Sequence, residues 1–324
     1  MFDCIVVGDV MMDVVLKSER GVLNALEIDG TNYFRSARVA PGGSGNIAAA
    51  LSHLGGKAAF IGKAGQDPFG TAYLRDLESL RVAARVEFDE SASTGFVISL
   101  VEPEGHRTML VSRGANDNLG QQEVKSNLQK LGPAKFVYLS GYSLLNLPQR
   151  EAVLEAGRIG RGNGSGVVFD PGSANLVKDH FDVFEGAIDS CDVLCANVAE
   201  SKVLANGLSV SEYARSLSRK GKKVIVKAGP QGCLVSTEGE LSTLPGVSAN
   251  ALDTTGAGDA FLGALLYCLS LDYDLTKSAS FANWFASRKV EGLGPRHFPR
   301  REDAVAFLKS IRLERGLERE ETRV

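Results

Sequence analysis

No apolar run in this chain approaches the roughly 18–20 residues that a membrane-crossing helix requires, and neither end carries a block of like charges. A membrane-spanning protein is therefore not expected. With 36 Lys and Arg against 39 Asp and Glu, a net charge of −3, the chain also lacks the basic footprint of a nucleic-acid binder. The opening, MFDCIVVGDVMMD, has an acid at Asp3 and no basic residues ahead of its apolar stretch. No leader peptide is expected from it, and a cytoplasmic location is. Cysteine is scarce: Cys4, Cys191, Cys195, Cys233 and Cys268 form an odd, scattered set that suits buried thiols and not a disulfide frame. Cys191 and Cys195 are four apart, but CDVLC reads as a strand with no second Cys or His pair nearby, so a metal site is not expected there. A GxxxxGK[ST] loop is absent, which excludes a P-loop nucleotide hydrolase.

What the chain does have is the composition of a globular protein, 44% hydrophobic and 23% charged over 324 residues, with 36 glycines. Short β-branched runs at Ile5–Val7, Ala59–Ile61, Phe136–Leu139, Val167–Phe169, Val193–Leu194 and Val224–Val226 alternate with amphipathic helical patterns. That alternation predicts a mainly parallel sheet covered by helices on both faces, a three-layer α/β/α sandwich. Residues 84–112 interrupt it: RVEFDE, TGFVISLVE and RTMLVS are strand-like, separated by turn residues and too close together for helices. With the extended polar stretch Asp29–Val39 they predict a small β lid, formed by about 9–40 and 84–113 and inserted in one domain spanning 1–324. The charged tail Leu313–Val324 reads as the end of a helix.

Two glycine-rich runs carry chemistry. The first, PGGSGNIAAALSHLG over residues 41–55, is a loop that lets backbone approach a ligand, with Asn46 near the start of an Ala-rich helix. Gly43, Gly45 and Ala48 satisfy a loose dinucleotide fingerprint, but that motif should follow the first strand of a βαβ unit, and here Pro41 sits directly before it in a poorly strand-like stretch. The second, Asp253-Thr-Thr-Gly-Ala-Gly-Asp259, runs straight into an apolar helix. Amides of Gly256, Ala257 and Gly258 at a helix N-terminus make a cavity for an anion. Asp259 in the first turn reads either as a complement to the helix dipole or as a base beside that cavity.

These two runs, in this order and about 200 residues apart, resemble the two signatures of the ribokinase-like (PfkB-type) carbohydrate kinases. Further matches are Gly8-Asp9 with Asp13, Arg113-Gly-Ala-Asn116, Asn197-x-x-Glu200, Lys227-x-Gly229-x-x-Gly232 and Asn283. The resemblance covers essentially the whole chain. It implies that Asp259 is the general base, that Gly256, Ala257 and Gly258 hold the γ-phosphate of ATP, and that Asn197 and Glu200 position Mg²⁺ and phosphates through water. It places Lys227, Gly229, Gly232 and Asn283 on the nucleotide, and Asp253 and Thr255 at a monovalent-cation site such as K⁺. On the acceptor side it implies Asp13 as the ligand of two adjacent hydroxyls, walled by Gly42, Gly43 and Asn46, with Asp9 as the competing candidate. Arg113 reads either as a contact to an acceptor carboxylate or as a lid–core salt bridge.

One departure stands out: Gly43 to Asn46 leaves two intervening residues where the family commonly has three. The implied activity is ATP-dependent phosphorylation of a small carbohydrate of the ribose, fructose or sugar-acid type, by a homodimer pairing through the lid. A nucleoside kinase on the same scaffold is the alternative, with Tyr33, Phe34, Phe96 or Tyr142 to stack on a base, and a non-catalytic sensor is a third reading. His53 and Trp284 read as structural, and His106 with Arg107 as the tip of a lid hairpin.

Overall fold

The computed structural model describes residues 1–17, 29–102 and 107–321, with side chains described as far as Ile311 except that of Arg107. His106 and the 18–28 part of the expected lid lie outside the described residues, as do residues 322–324 at the end of the tail; the last helix is described over Arg301–Glu321. Thirteen strands follow in chain order: β1 Phe2–Val7, β2 Met11–Lys17, β3 Ser36–Pro41, β4 Ala58–Gly65, β5 Ala83–Asp89, β6 Gly95–Val101, β7 Arg107–Ser112, β8 Ala134–Ser140, β9 Gly166–Asp170, β10 Val193–Asn197, β11 Lys223–Lys227, β12 Cys233–Thr237 and β13 Glu240–Leu244.

Nine of them form one sheet in the order β13-β12-β11-β10-β9-β8-β1-β4-β5. From β11 to β5 neighbours run parallel, joined through helices, while β12 and β13 add an antiparallel edge. The turn between β12 and β13 has Glu238 and Gly239 both at positive φ, 53° and 85°, the backbone a two-residue hairpin demands.

β1 lies inside the sheet between β8 and β4, and its Cys4, Ile5, Val6 and Val7 are at most 1% exposed. Such a continuous apolar run belongs to a strand covered on both faces. Alternate side chains enter two separate cores. Cys4 and Val6 join the helices Gly45–His53, Ala257–Ser270 and Leu275–Lys289. Ile5 and Val7 join Gln121–Leu131, Gln149–Gly162 and Phe181–Ser190. This is the expected three-layer sandwich. The buried thiols are all free. His53 bonds the Pro299 carbonyl at 2.7 Å and leans on Phe298, and Trp284 stacks on Phe307 at 4.9 Å.

A second, four-stranded sheet has the order β3-β2-β6-β7. The sequence pattern also put residues 84–90 in this sheet, and there the structure differs: β5 pairs parallel with β4 from Ala59/Ala83 to Gly65/Asp89 and forms the edge of the main sheet. The helix Pro68–Ser79 supplies the crossover a parallel neighbour needs, a constraint that the strand's own composition does not reveal. The small sheet is joined to the large one where Asp67 accepts bonds of 2.7 Å from both the amide and the hydroxyl of Thr94, just ahead of β6.

One close approach sets the site. A Cβ added at Gly263 would fall 2.5 Å from the Ala50 methyl and 2.8 Å from the Ile47 carbonyl oxygen, so the helices Gly45–His53 and Ala257–Ser270 touch backbone to backbone. Gly263→Val is expected to force them apart at a cost of about 1–3 kcal/mol, read as a lower urea midpoint at unchanged m-value.

Candidate active site

The parallel strands β1, β8, β9, β10 and β11 end at one rim of the large sheet; Ser140, Asp170, Asn197 and Lys227 are the last residues of β8 to β11 and Asp9 lies just past β1, all lining a single cleft of about 910 Å³. Clefts at the carboxyl ends of parallel strands are where open α/β sheets bind ligands. Its far wall is the cavity-facing side of the small sheet, through Asp13, Val97, Met109 and Val111, and its floor is the segment Thr254–Asp259.

That floor is a helix N-terminus. Gly256 caps the helix Ala257–Ser270 in the left-handed region, at φ 74°. A side chain there would also meet the Pro295 carbonyl oxygen at 2.7 Å, so glycine is required. The Ala257 amide bonds the Thr254 carbonyl at 3.1 Å, while Gly256 and Gly258 line the cleft with the positive end of the helix dipole behind them. Asp259, half-buried, stands beside them, and its Oδ2 accepts a 3.0 Å bond from Nδ2 of Asn46. Burial raises its pKa, and Asp170 adds to this; the Asn46 bond and the charges of Lys227 and Arg296 pull the other way, and the net direction is up.

Asn46 is itself held. Its Oδ1 accepts a 2.8 Å bond from Nε of Arg296, whose Nη1 pairs with Asp76. A chain of charge-assisted bonds thus runs from Asp76 through Arg296 and Asn46 to Asp259. The loop before Asn46 is pinned by the fully buried Tyr73, whose hydroxyl accepts from Gly45 N at 3.1 Å and donates to the Gly42 carbonyl at 3.0 Å. Gly43 sits at φ 59°, and a Cβ there would lie 2.6 Å from the Asp9 carbonyl oxygen.

Asp9 and Asp13 separate cleanly. Asp9 is 4% exposed, and its carboxylate accepts from Arg113 Nη1 and Nη2 at 2.9 and 3.2 Å and from Ser143 and Gln149, both at 2.7 Å. It is a tie-point. Asp13 instead faces the cleft, packed so closely on Gly42 that a Cβ there would lie 2.4 Å from Oδ2. Burial, then the nearby Asp259 charge, push Asp13 up to about 6 against the pull of Arg296.

Arg113 lines the cleft but is engaged by Asp9, by Asp117 at 2.6 Å and by Gln149 at 2.5 Å. It therefore bridges the end of β7 to the large sheet in the manner of a lid–core salt bridge.

At the other end of the cleft, Asn197 and Glu200 cap a helix reciprocally: Glu200 N donates to Asn197 Oδ1 at 2.9 Å and Asn197 N to Glu200 Oε2 at 2.8 Å. Glu200 is 1% exposed; burial and Asp170 push it up to about 7, against Lys227 and the Asn197 amide. Lys227 pairs with Asp170 at 2.6 Å. Burial works against its charge, but Asp170 and its acidic neighbours prevail and hold the ammonium above its usual pKa. Its Nζ would lie 3.9 Å from a Cβ on Gly258, beside the helix N-terminus.

Gly229 and Gly232 turn at φ 57° and 97°, and Asn283 donates to Cys233 Sγ at 3.3 Å next to them. Asp253 has its carboxylate occupied by Thr255 N at 2.9 Å and Gly294 N at 2.8 Å, and its carbonyl by the ammonium of Lys289 at 2.7 Å.

No group of three metal-ligating side chains occurs among the described residues. The hard oxygens of Asp170 and Glu200, both lining the cleft, fit Mg²⁺ arriving with polyphosphate and keeping its water. Asp170, Arg296, Tyr73 and Lys289 belong to the site but to none of the sequence motifs. Asp170 had a signal, an acid at the end of a buried strand; the other three had none.

The sequence pattern of the pfkB family carbohydrate kinases matches residues 1–301. A fructokinase-2 of Oryza sativa subsp. japonica is 33% identical over 241 residues, 72% of each chain. An ATP-dependent ribose-1-phosphate kinase of Halopiger xanaduensis is 32% identical over 303 residues, 93% of this chain and 96% of the other. A chain described as a ribokinase II of E. coli, solved with ATP and Mg²⁺, superposes with a TM-score of 0.83 at 22% identity, covering 96% of this chain and all of that one.

Glu200 gives this site a measurable signature. The folded protein keeps its proton up to about pH 7, whereas the ordinary glutamate value is 4.5. Its contribution to stability is therefore present below about pH 4.5 and lost as pH rises to about 7. Urea midpoints measured across that window are expected to fall with rising pH, and Glu200→Gln is expected to flatten the slope.

Proposed function

The chain belongs to the pfkB family of carbohydrate kinases and is a phosphotransferase with an alcohol group as acceptor, and we propose that it moves the γ-phosphate of ATP to a hydroxyl of a small carbohydrate of the ribose, fructose or sugar-acid type. The observation that carries this reading is the half-buried carboxylate of Asp259, fixed by Asn46 at 3.0 Å and set beside the helix start at Gly256–Gly258 in one cleft.

Asp13 accepts two adjacent hydroxyls of the sugar, because its two oxygens face the cleft and a carboxylate takes parallel bonds well. The hydroxyl to be phosphorylated then lies by Asp259, which takes its proton as the oxygen attacks the γ-phosphorus and the bond to ADP breaks. The raised pKa of Asp259 favours that proton transfer. Negative charge on the moving phosphoryl group is met by the helix amides and the Lys227 ammonium. Glu200, Asp170 and Asn197 would hold, through water, the Mg²⁺ that comes with the nucleotide, which would supply neutralisation of phosphate charge. Asn283, Gly229 and Gly232 line the nucleotide end. Val97, Met109 and Val111 of the small sheet keep water from competing as acceptor. A nucleoside acceptor is the second reading, favoured by Tyr142, which lines the cleft with its hydroxyl fixed to the Gly172 carbonyl at 2.8 Å.

The small sheet also supports a homodimer. Val39, Val14, Ile98 and Leu110 stand side by side in register on the face opposite Asp13, with Val39 50% and Leu110 53% exposed. A second copy laid on this row would cover it.

ADP release from ATP and Mg²⁺, assayed over pentoses, hexoses, their phosphates, sugar acids and nucleosides, is expected to show turnover with one acceptor class. Asp259→Asn is expected to lower kcat about 10²–10⁴-fold while acceptor and nucleotide still bind. Equal turnover in the variant would remove Asp259 from the mechanism, and a wild type that binds sugar without releasing ADP would be a sensor. Light scattering of the eluted protein should give about twice the monomer mass, and Leu110→Asp should return it to the monomer.

A further inference from the structure

We infer that the ammonium of Lys289 is a resident cation built into the support of the anion hole, taking the place of the dissociable monovalent ion that the resemblance assigns to Asp253 and Thr255. Lys289 closes the helix Leu275–Lys289 and is 0% exposed. Its Nζ donates 2.7 Å to the carbonyl oxygen of Asp253, an oxygen of the kind a potassium ion would coordinate. Asp253 is at the same time the knot of the loop: its carboxylate takes the amides of Thr255 and Gly294, and the amides of Leu252 and Asp253 bond the Val290 carbonyl at 2.8 and 3.2 Å. Burial raises the Asp253 pKa, but the bonds from Thr255 and Gly294 and the charge of Lys289 outweigh it, so the residue stays ionised. The segment so clamped leads directly into Gly256 and the amides of the first helical turn.

Two physical points favour a working charge over packing. Burying an ammonium costs more than burying an aliphatic chain of equal volume, and a core position needing only bulk would be served by Met. A free cation brought to the same carbonyl would meet the like charge of Lys289 with no water between them. The donor set therefore does not fit an additional potassium ion. Lys289 acts as a positioning residue: it fixes the loop that orients the Gly256–Gly258 amides. The inference rests on the kinase reading only for the identity of the anion.

The first test needs no variant. Binding of ATP with Mg²⁺ is measured by calorimetry in choline chloride and in potassium chloride at equal ionic strength, alongside initial rates. Affinity and rate are expected to agree within about twofold; a tenfold gain in potassium overturns the inference. Lys289→Met is expected to weaken ATP binding about tenfold in choline. Lys289→Ala, which opens a space, is expected to regain most of that loss when ammonium or potassium chloride replaces choline. Thermal melts confirm that each variant is folded. A folded Lys289→Met that binds ATP as the wild type does in choline also overturns the inference. A wild type that binds ATP but demands potassium defeats the Lys289 reading and leaves the kinase reading standing, whereas a wild type that binds no ATP in any salt defeats both.

Discussion

The contact between Asn46 and Asp259 is the point on which the rest of the site depends. It joins the first turns of two helices that lie 213 residues apart in sequence, one carrying the loop at Gly42–Gly45 and the other presenting open amides. A carboxylate placed beside a helix N-terminus would by default turn toward those amides and complement the dipole. The Asn46 amide gives it a different partner and so keeps the amides available for an anion. The backbone contact at Gly263 makes that bond reachable, and the chain through Arg296 to Asp76 sets which end of the Asn46 amide faces Asp259.

Charge in the cleft is finely distributed. Asp13, Glu200 and Asp259 all have raised pKa values, each with burial as the first cause and a neighbouring acid as the next electrostatic one. Opposing them are Lys227, bound to Asp170, and Arg296, bound to Asn46. Asp13, at about 6, and Glu200, at about 7, therefore sit where modest changes of charge near neutral pH alter their protonation. Asp9 and Arg113 are the counterexample. They saturate each other and Asp117, Ser143 and Gln149, and their role is to anchor the end of the small sheet at the rim of the large one.

The small sheet has two unlike faces because side chains alternate across a strand. Asp13, Val97 and Val111 turn to the cleft, while Val14, Ile98 and Leu110 turn away from it. One face of the same strands thus lines the cleft while the other carries an exposed apolar row.

Much of this was legible in the residues alone. The alternation of β-branched runs with helical patterns determined the layered sheet, since each run is local and a strand buried on both faces must be apolar throughout. The Gly256–Asp259 run, the Asn197–Glu200 box and the turns at Gly229 and Gly232 were readable for the same reason: a positive φ, a cap or a helix start is fixed by residues within a few positions of one another. What only the tertiary structure decided involves partners far apart in the chain. The engagement of Asp9 rests on Arg113 and Gln149, which pair with it across more than a hundred residues. The place of β5 turned on a crossover helix and not on its own sequence. Arg296 and Lys289 have no local signature, because a basic residue near the end of a helix or in a loop ordinarily faces water. Burial and a partner 250 or 36 residues away give them their roles, and burial is a property of the folded chain that no short stretch of sequence contains.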